Sequence, residues 1–122
     1  VGMTQRSGEP LVVLLELTPP GASFRSWFPG MHERMAVMNE ALAEVVRRVD
    51  LPHVLYLPTN TVLAPLMADG TEVNPDGGHY TPAAHRLIGE ALAAVVVEWA
   101  TDRGLVRPLP PAQEQQVRAV AE

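Results

Sequence analysis

An unbroken apolar run near the start of the chain constrains its fold most. Residues 11–17 read Leu-Val-Val-Leu-Leu-Glu-Leu, with no alternation of apolar and polar side chains. A strand of this kind is buried on both faces, as in a parallel sheet that is covered by helices. The run therefore predicts an α/β fold, and Pro19-Pro20-Gly21 marks the end of the strand.

A helix and a second strand are predicted next. Residues 31–49 carry apolar side chains at helical spacing on one face and charged side chains on the other. The apolar stripe is expected to face the core and comprises Met31, Met35, Met38, Leu42, Val45, Val46 and Val49. Residues 53–57, closed by Pro58, predict the second strand. Strand, helix and strand form a βαβ unit, which predicts two parallel strands.

The following segment is less regular until the last helix. Residues 61–67 are compatible with a short helix or with an irregular apolar plug. Thr81 suits an N-cap and Pro82 the first helical position, so a long helix is expected from there to Arg103 and Gly104. Its predicted buried stripe comprises Ala84, Leu87, Ile88, Ala91, Leu92, Val95 and Trp99.

Length and composition narrow the class of protein. The chain has 122 residues, which suits one domain. Residues 1–10 are predicted to be a lead-in, and residues 105–122 a proline-rich tail compatible with a short terminal helix. A net charge of −5 without a basic run argues against nucleic acid as a partner. No apolar run is long enough to span a bilayer. No cysteine is present, and the sequence fits a secreted and a cytoplasmic protein equally.

The loop before the last helix holds the residues with the clearest chemistry. Asp76 precedes His79 by three residues, with Gly77 and Gly78 between them. Glycine permits the tight bend that would bring the carboxylate to the imidazole ring. In a serine hydrolase the carboxylate orients the histidine, and the histidine takes the proton from a serine hydroxyl. The alternative is a plain turn followed by a surface histidine.

The sequence around this pair resembles the last conserved block of the SGNH hydrolases, also called GDSL esterases and lipases. Residues 76–85 read Asp-Gly-Gly-His-Tyr-Thr-Pro-Ala-Ala-His. The family block has the form Asp-x-x-His, followed by an aromatic residue or proline, then serine or threonine, proline and a small residue. The preceding order is also similar: a strand ending in Thr18-Pro19-Pro20, a helix and a second strand. The resemblance covers residues 11–104.

The resemblance implies both a fold and a pair of catalytic residues. His79 would be the general base and Asp76 its orienting acid, with no metal or organic cofactor. The implied fold is a three-layer α/β/α sandwich around a parallel sheet, flavodoxin-like, of which this chain supplies only the C-terminal part. The family's nucleophile lies in a Gly-Asp-Ser motif, and two further blocks supply a glycine and an asparagine to the oxyanion hole. None of these three blocks occurs in the chain.

The serines and asparagines of the chain stand in other settings. Ser7 precedes any predicted strand, and Ser23 and Ser26 lie in the loop after Pro20. Asn39 falls within the predicted helix, and Asn60 lacks a Gly-x-Asn context.

The implied function is hydrolysis of an acyl ester through an acyl-serine intermediate. The serine would come from outside the chain, which is therefore expected to be inactive alone. The missing N-terminal half of the fold is expected as a separate chain, a cleaved segment or sequence omitted here. Two alternatives remain: a non-catalytic module for interaction or carbohydrate binding, and an acyltransferase acting on carbohydrate.

Other polar residues are expected to play smaller parts. His79 and His85 lack the spacing of a zinc-binding His-Glu-x-x-His helix, so His85 is expected to be solvated or to support His79. Acidic and amide residues between 69 and 76 lack the order of a calcium loop. His32 and His53 are predicted to be structural. Glu16, near the carboxyl end of the first strand, is expected to mark the point where the strand emerges into solvent, and the alternative is a contact with substrate.

Overall fold

The chain is a small α/β protein. The computed structural model describes residues 8–22 and 28–105. Its elements follow in the order β1 (Val12–Leu15), α1 (Met31–Val49), β2 (Val54–Leu57), α2 (Thr59–Ala68) and α3 (Pro82–Asp102). Most of the predicted lead-in and nearly all of the predicted tail lie outside the described residues.

The two strands form a parallel sheet, as the βαβ pattern predicts. Val12 pairs with Val54 and Leu15 with Leu57, so the two strands match along their whole length. The Val12 N–H donates to the His53 carbonyl at 2.7 Å, and the Glu16 N–H donates to the Leu57 carbonyl at 3.0 Å.

Strand β1 is shorter than the apolar run that predicts it. Beyond Glu16, the Leu17 N–H donates to Asn39 Oδ1 at 2.7 Å, and Asn39 Nδ2 donates to the Leu17 carbonyl at 2.9 Å. A side-chain amide from α1 therefore satisfies the backbone of Leu17 at both its donor and its acceptor. The hydrogen-bond ladder with β2 therefore ends at Glu16, because the Asn39 amide bonds the backbone of Leu17 in place of a neighbouring strand.

Helix α1 has the predicted bounds, but its apolar stripe is only partly buried. The helix contacts β2 and has no fully buried residue. Met38 is 54%, Val45 51% and Val49 43% exposed. A sheet of two short strands offers too little surface to cover a helix of 19 residues. The expectation that the whole stripe lies in the core is wrong for these three residues.

The core lies between the sheet and helices α2 and α3. It is built from Leu57, Leu63, Val73, Ala84 and Ile88, and Val13 and Leu15 of β1 pack against this group. The ambiguous segment forms helix α2, and its Leu63 is completely buried. This burial favours the helix although Pro65 cannot donate a backbone hydrogen bond within it.

Helix α3 follows its prediction closely. Thr81 Oγ1 accepts a hydrogen bond from the Ala84 N–H at 3.3 Å, and Pro82 begins the helix. Ala84 and Ile88 are buried in the core. The remaining apolar residues of the predicted stripe are half-buried: Leu87, Ala91, Leu92, Val95 and Trp99. None of the helices within residues 8–22 and 28–105 combines the length and apolar character that crossing a membrane requires.

Candidate functional site

The loop between α2 and α3 forms a compact turn around Asp76. The Gly77 N–H donates to the Asn74 carbonyl at 3.2 Å, which closes a turn with Pro75 at its second position. Asp76 Oδ1 then accepts from the Gly78 N–H at 2.9 Å and from the His79 N–H at 2.7 Å. Aspartate side chains commonly bond the backbone two or three residues ahead in this way. The loop backbone is therefore folded around one carboxylate oxygen.

The second carboxylate oxygen of Asp76 contacts the imidazole of His79. Asp76 Oδ2 lies 2.6 Å from His79 Nδ1. An ionised carboxylate only accepts hydrogen bonds, so Nδ1 carries the proton. In the neutral ring Nε2 is then unprotonated and can accept a proton. The structure thus brings together the two residues that the sequence nominates, in the tautomer that a general base requires.

The hydrogen bonds of the loop lower the pKa of Asp76. The Gly78 N–H contributes most, followed by the His79 ring and the His79 N–H, and together they bring the pKa to about 2 from an ordinary value of 3.8. The side chain is 56% exposed and that of His79 is 86% exposed. Because both side chains are exposed, the contact between them contributes little to the stability of the fold.

This low pKa predicts how stability depends on acid. The pKa of Asp76 is lower in the folded chain than in the unfolded chain, so the unfolded state binds more protons between about pH 4 and about pH 2. The stabilisation from Asp76 is present above this window and is lost as the pH falls through it. Titration of the Asp76 carboxyl carbon by ¹³C NMR is expected to give a pKa of about 2. A midpoint at the ordinary value would contradict the loop geometry.

The two glycines of the loop have different roles, although the sequence treats them alike. Gly77 adopts φ 78°, in the left-handed region that glycine tolerates best. Gly78 has no such conformation, and a Cβ there would meet Asp76 Oδ1 at 3.8 Å, an ordinary contact distance. Only Gly77 is required by the bend.

Alanine at these two positions is expected to give opposite results. Gly77→Ala should destabilise the chain by about 1–2 kcal/mol, because a Cβ is strained in the left-handed region. Gly78→Ala should be neutral or slightly stabilising, since the unfolded chain loses freedom without strain in the folded chain. Thermal denaturation of the two variants measures the difference. Equal losses of stability would show that the bend does not depend on Gly77.

Glu16, Asn39 and Asn60 serve the scaffold. Glu16 accepts from the Tyr56 hydroxyl at 2.7 Å and from the Asn60 N–H at 2.9 Å, where α2 begins. Burial and the adjacent Glu16 raise the pKa of Tyr56 to about 12. The Asn60 side chain donates to the Leu17 carbonyl at 3.1 Å. Glu16 therefore links β1, β2 and α2, an arrangement that its position in the sequence does not reveal.

The other polar candidates of the sequence are Ser7, Ser23 and Ser26, which lie outside the described residues, and the histidines at 85 and 53. His85 packs edge-on against Tyr80, with ring centroids 5.8 Å apart. His53 Nδ1 lies 3.3 Å from Glu9 Oε2. Within residues 8–22 and 28–105, no three histidine or carboxylate side chains come close enough to share a metal ion.

Sequence reasoning did not identify the residues that hold the loop to the sheet. The segment after β1 contacts the loop through Thr18, Asn74 and Tyr80. In the sequence, Thr18 stands only as part of the turn that ends the first strand. Its separation from its two partners, by 56 and 62 residues, leaves no local signal.

Comparison of the chain with models of known protein families, with curated protein sequences and with solved structures gave no match.

Proposed function

We propose that the chain is the C-terminal part of an SGNH-type serine esterase, with His79 as general base and Asp76 as the residue that orients it. The observation that carries this proposal is the 2.6 Å hydrogen bond from His79 Nδ1 to Asp76 Oδ2. It leaves Nε2 as the proton acceptor of the ring. The similarity of residues 76–85 to the last block of the family is the second support.

The proposed reaction passes through an acyl-serine intermediate. The serine oxygen attacks the ester carbonyl while His79 Nε2 takes its proton, and the negative charge of Asp76 stabilises the imidazolium. His79 then gives this proton to the departing alcohol. A water molecule is activated in the same way, attacks the acyl group and releases the acid and the serine. Short acyl esters and acylated carbohydrates are the proposed substrates, on the family resemblance alone.

We propose that the serine arrives on a segment that extends the sheet into a three-layer sandwich. In a parallel ladder, alternate residues of a strand bond to opposite sides. Val12 and Glu16 donate towards β2, so the backbone groups of Val13 and Leu15 point to the other edge of β1. An edge of this kind invites another strand, and a sheet of two strands has little stability by itself.

The exposed apolar residues support the same partner. Met38, Val45 and Val49 belong to the apolar stripe of α1, and each is more than two-fifths exposed. Large exposed apolar side chains on one helix face commonly mark an interface. The N-terminal half of the fold, carrying its Gly-Asp-Ser strand, is the partner that this proposal requires.

Expression of the chain with and without that N-terminal half tests the proposal. The 122-residue chain alone should not hydrolyse a short-chain aryl ester. The adjoining or associated sequence should contain a strand ending in Gly-Asp-Ser and should restore hydrolysis. If the purified chain alone hydrolyses the ester and His79→Ala abolishes this activity, the external-serine proposal is wrong. If the adjoining sequence is unrelated to a hydrolase, a non-catalytic module is favoured instead.

A further inference from the structure

Thr18 contacts the polypeptide on both sides of the Asp76–His79 loop. Its hydroxyl accepts a hydrogen bond from the Tyr80 hydroxyl at 3.0 Å, and its carbonyl accepts one from Asn74 Nδ2 at 3.0 Å. Thr18 is only 2% exposed and Asn74 only 6%. Buried hydrogen bonds of this kind are costly to leave unmade, so both contacts constrain the backbone.

The two contacts bracket the reactive pair. Asn74 precedes Asp76 by two residues, and Tyr80 directly follows His79. The base of the loop is also closed, because the Thr81 N–H donates to the Val73 carbonyl and the Gly21 N–H to the Asn74 carbonyl, each at 3.0 Å. The loop is therefore tied at both ends to the segment that leaves β1.

Packing does not hold the two reactive side chains in place. Asp76 and His79 are mostly exposed, and their partners are each other and the loop backbone. The position of the carboxylate relative to the imidazole thus depends on the shape of the loop. That shape depends in turn on where its ends are held.

We propose that Thr18 and Tyr80 are positioning residues, which hold the Asp76–His79 loop in its hydrogen-bonded form and fix it to the end of β1. The relevance to catalysis rests on the proposed function. The two Thr18 contacts hold the loop whether or not a nucleophilic serine is present. Loss of either hydroxyl, that of Tyr80 or that of Thr18, is therefore expected to loosen the contact between Asp76 and His79.

Three variants and a matched control test this claim in the full 122-residue chain. Tyr80→Phe and Thr18→Val each remove one hydroxyl and keep most of the side-chain volume. Thr18→Ser keeps the hydroxyl. Tyr56→Phe removes the other described tyrosine hydroxyl with a side-chain partner, Glu16, which lies outside the loop. Two readouts are used: the ¹³C titration of the Asp76 carboxyl and the ¹⁵N shifts that report the tautomer of His79.

Tyr80→Phe and Thr18→Val are each expected to raise the pKa of Asp76 by about one unit, a tenfold change in its acid dissociation constant. Both should also reduce the fraction of neutral His79 protonated at Nδ1. Thr18→Ser and Tyr56→Phe should keep the parent values. If Thr18→Val does not fold, Tyr80→Phe tests the same hydrogen bond from its other end.

Parent values in Tyr80→Phe would overturn the proposal. A Thr18→Ser chain that behaves like Thr18→Val would also overturn it, because serine keeps the hydroxyl and the effect would then not depend on that group. Neither readout involves ester hydrolysis. Failure of the esterase proposal would therefore leave these results unchanged and would be recognised separately.

Discussion

Under the proposed esterase function, His79→Ala in the protein assembled with its N-terminal half is expected to lower kcat by about 10⁶-fold, and Asp76→Asn by about 10⁴-fold. Alanine removes the proton acceptor altogether. Asparagine keeps an oxygen for the Gly78 and His79 N–H groups, so the loop should retain its shape. Its amide nitrogen, however, would donate to His79 Nδ1 and would move the ring proton to Nε2. The base would then be in the wrong tautomer.

Steady-state hydrolysis of an aryl ester measures both effects, and His53→Gln is the matched control. His53 lies just before β2, at the opposite end of the sheet from the loop. Its substitution by glutamine is therefore expected to leave kcat unchanged. If Asp76→Asn retained parental kcat while His79→Ala lost it, His79 would act without its carboxylate. Parental kcat in His79→Ala would exclude the residue as the base.

Leu63→Ala is expected to have the largest effect on stability, a loss of about 2–5 kcal/mol. Leu63 is fully buried, and no other completely buried side chain of the described core is larger. Its removal leaves a cavity among residues that join α2, α3 and the sheet. Small domains are stabilised by only about 5–15 kcal/mol, so the substitution should remove a large share of the free energy of unfolding.

Urea denaturation followed by circular dichroism measures this loss, with Val97→Ala as the control. Val97 is 55% exposed on α3, and its truncation is expected to change the free energy of unfolding by less than about 0.5 kcal/mol. Equal losses in the two variants would mean that Leu63 is not a principal residue of the core. Packing between α2 and α3, the helices on either side of the loop, would then not depend on it.

Local signals in the sequence were sufficient for the longest elements. Thr81 and Pro82 mark the start of α3, and apolar spacing marks the length of α1. The parallel pairing of β1 and β2 follows from the helix that separates them. These features depend on residues within one or two turns of each other, which is where sequence patterns are informative.

Features that depend on distant residues were not predicted. Helix α2 is ambiguous in the sequence because the Asn60 N–H in its first turn donates to Glu16, 44 residues earlier. Strand β1 ends early because Asn39 takes up the backbone of Leu17. Part of α1 is exposed because the described sheet has only two strands to cover it. The spacing of apolar residues along a helix gives no information on the number of strands.

The candidate site shows the same division between local and distant contacts. Asp76 and His79 are three residues apart, so the Asp-x-x-His spacing and its glycines indicated their contact. Only Gly77, with a φ of 78°, adopts the left-handed conformation that the bend requires. The sequence does not distinguish it from Gly78, because both residues are glycine. The part played by Thr18 required the fold, because its partners lie more than fifty residues away.

Labelling of the native protein with a fluorophosphonate probe, followed by mapping of the modified residue by mass spectrometry, tests whether His79 activates a serine outside this chain. One modified serine is expected, in a Gly-Asp-Ser motif outside these 122 residues. His79→Ala should slow the labelling strongly, while His53→Gln should not. Absence of any labelled serine, or modification of Ser7, Ser23 or Ser26, would contradict the external-serine proposal.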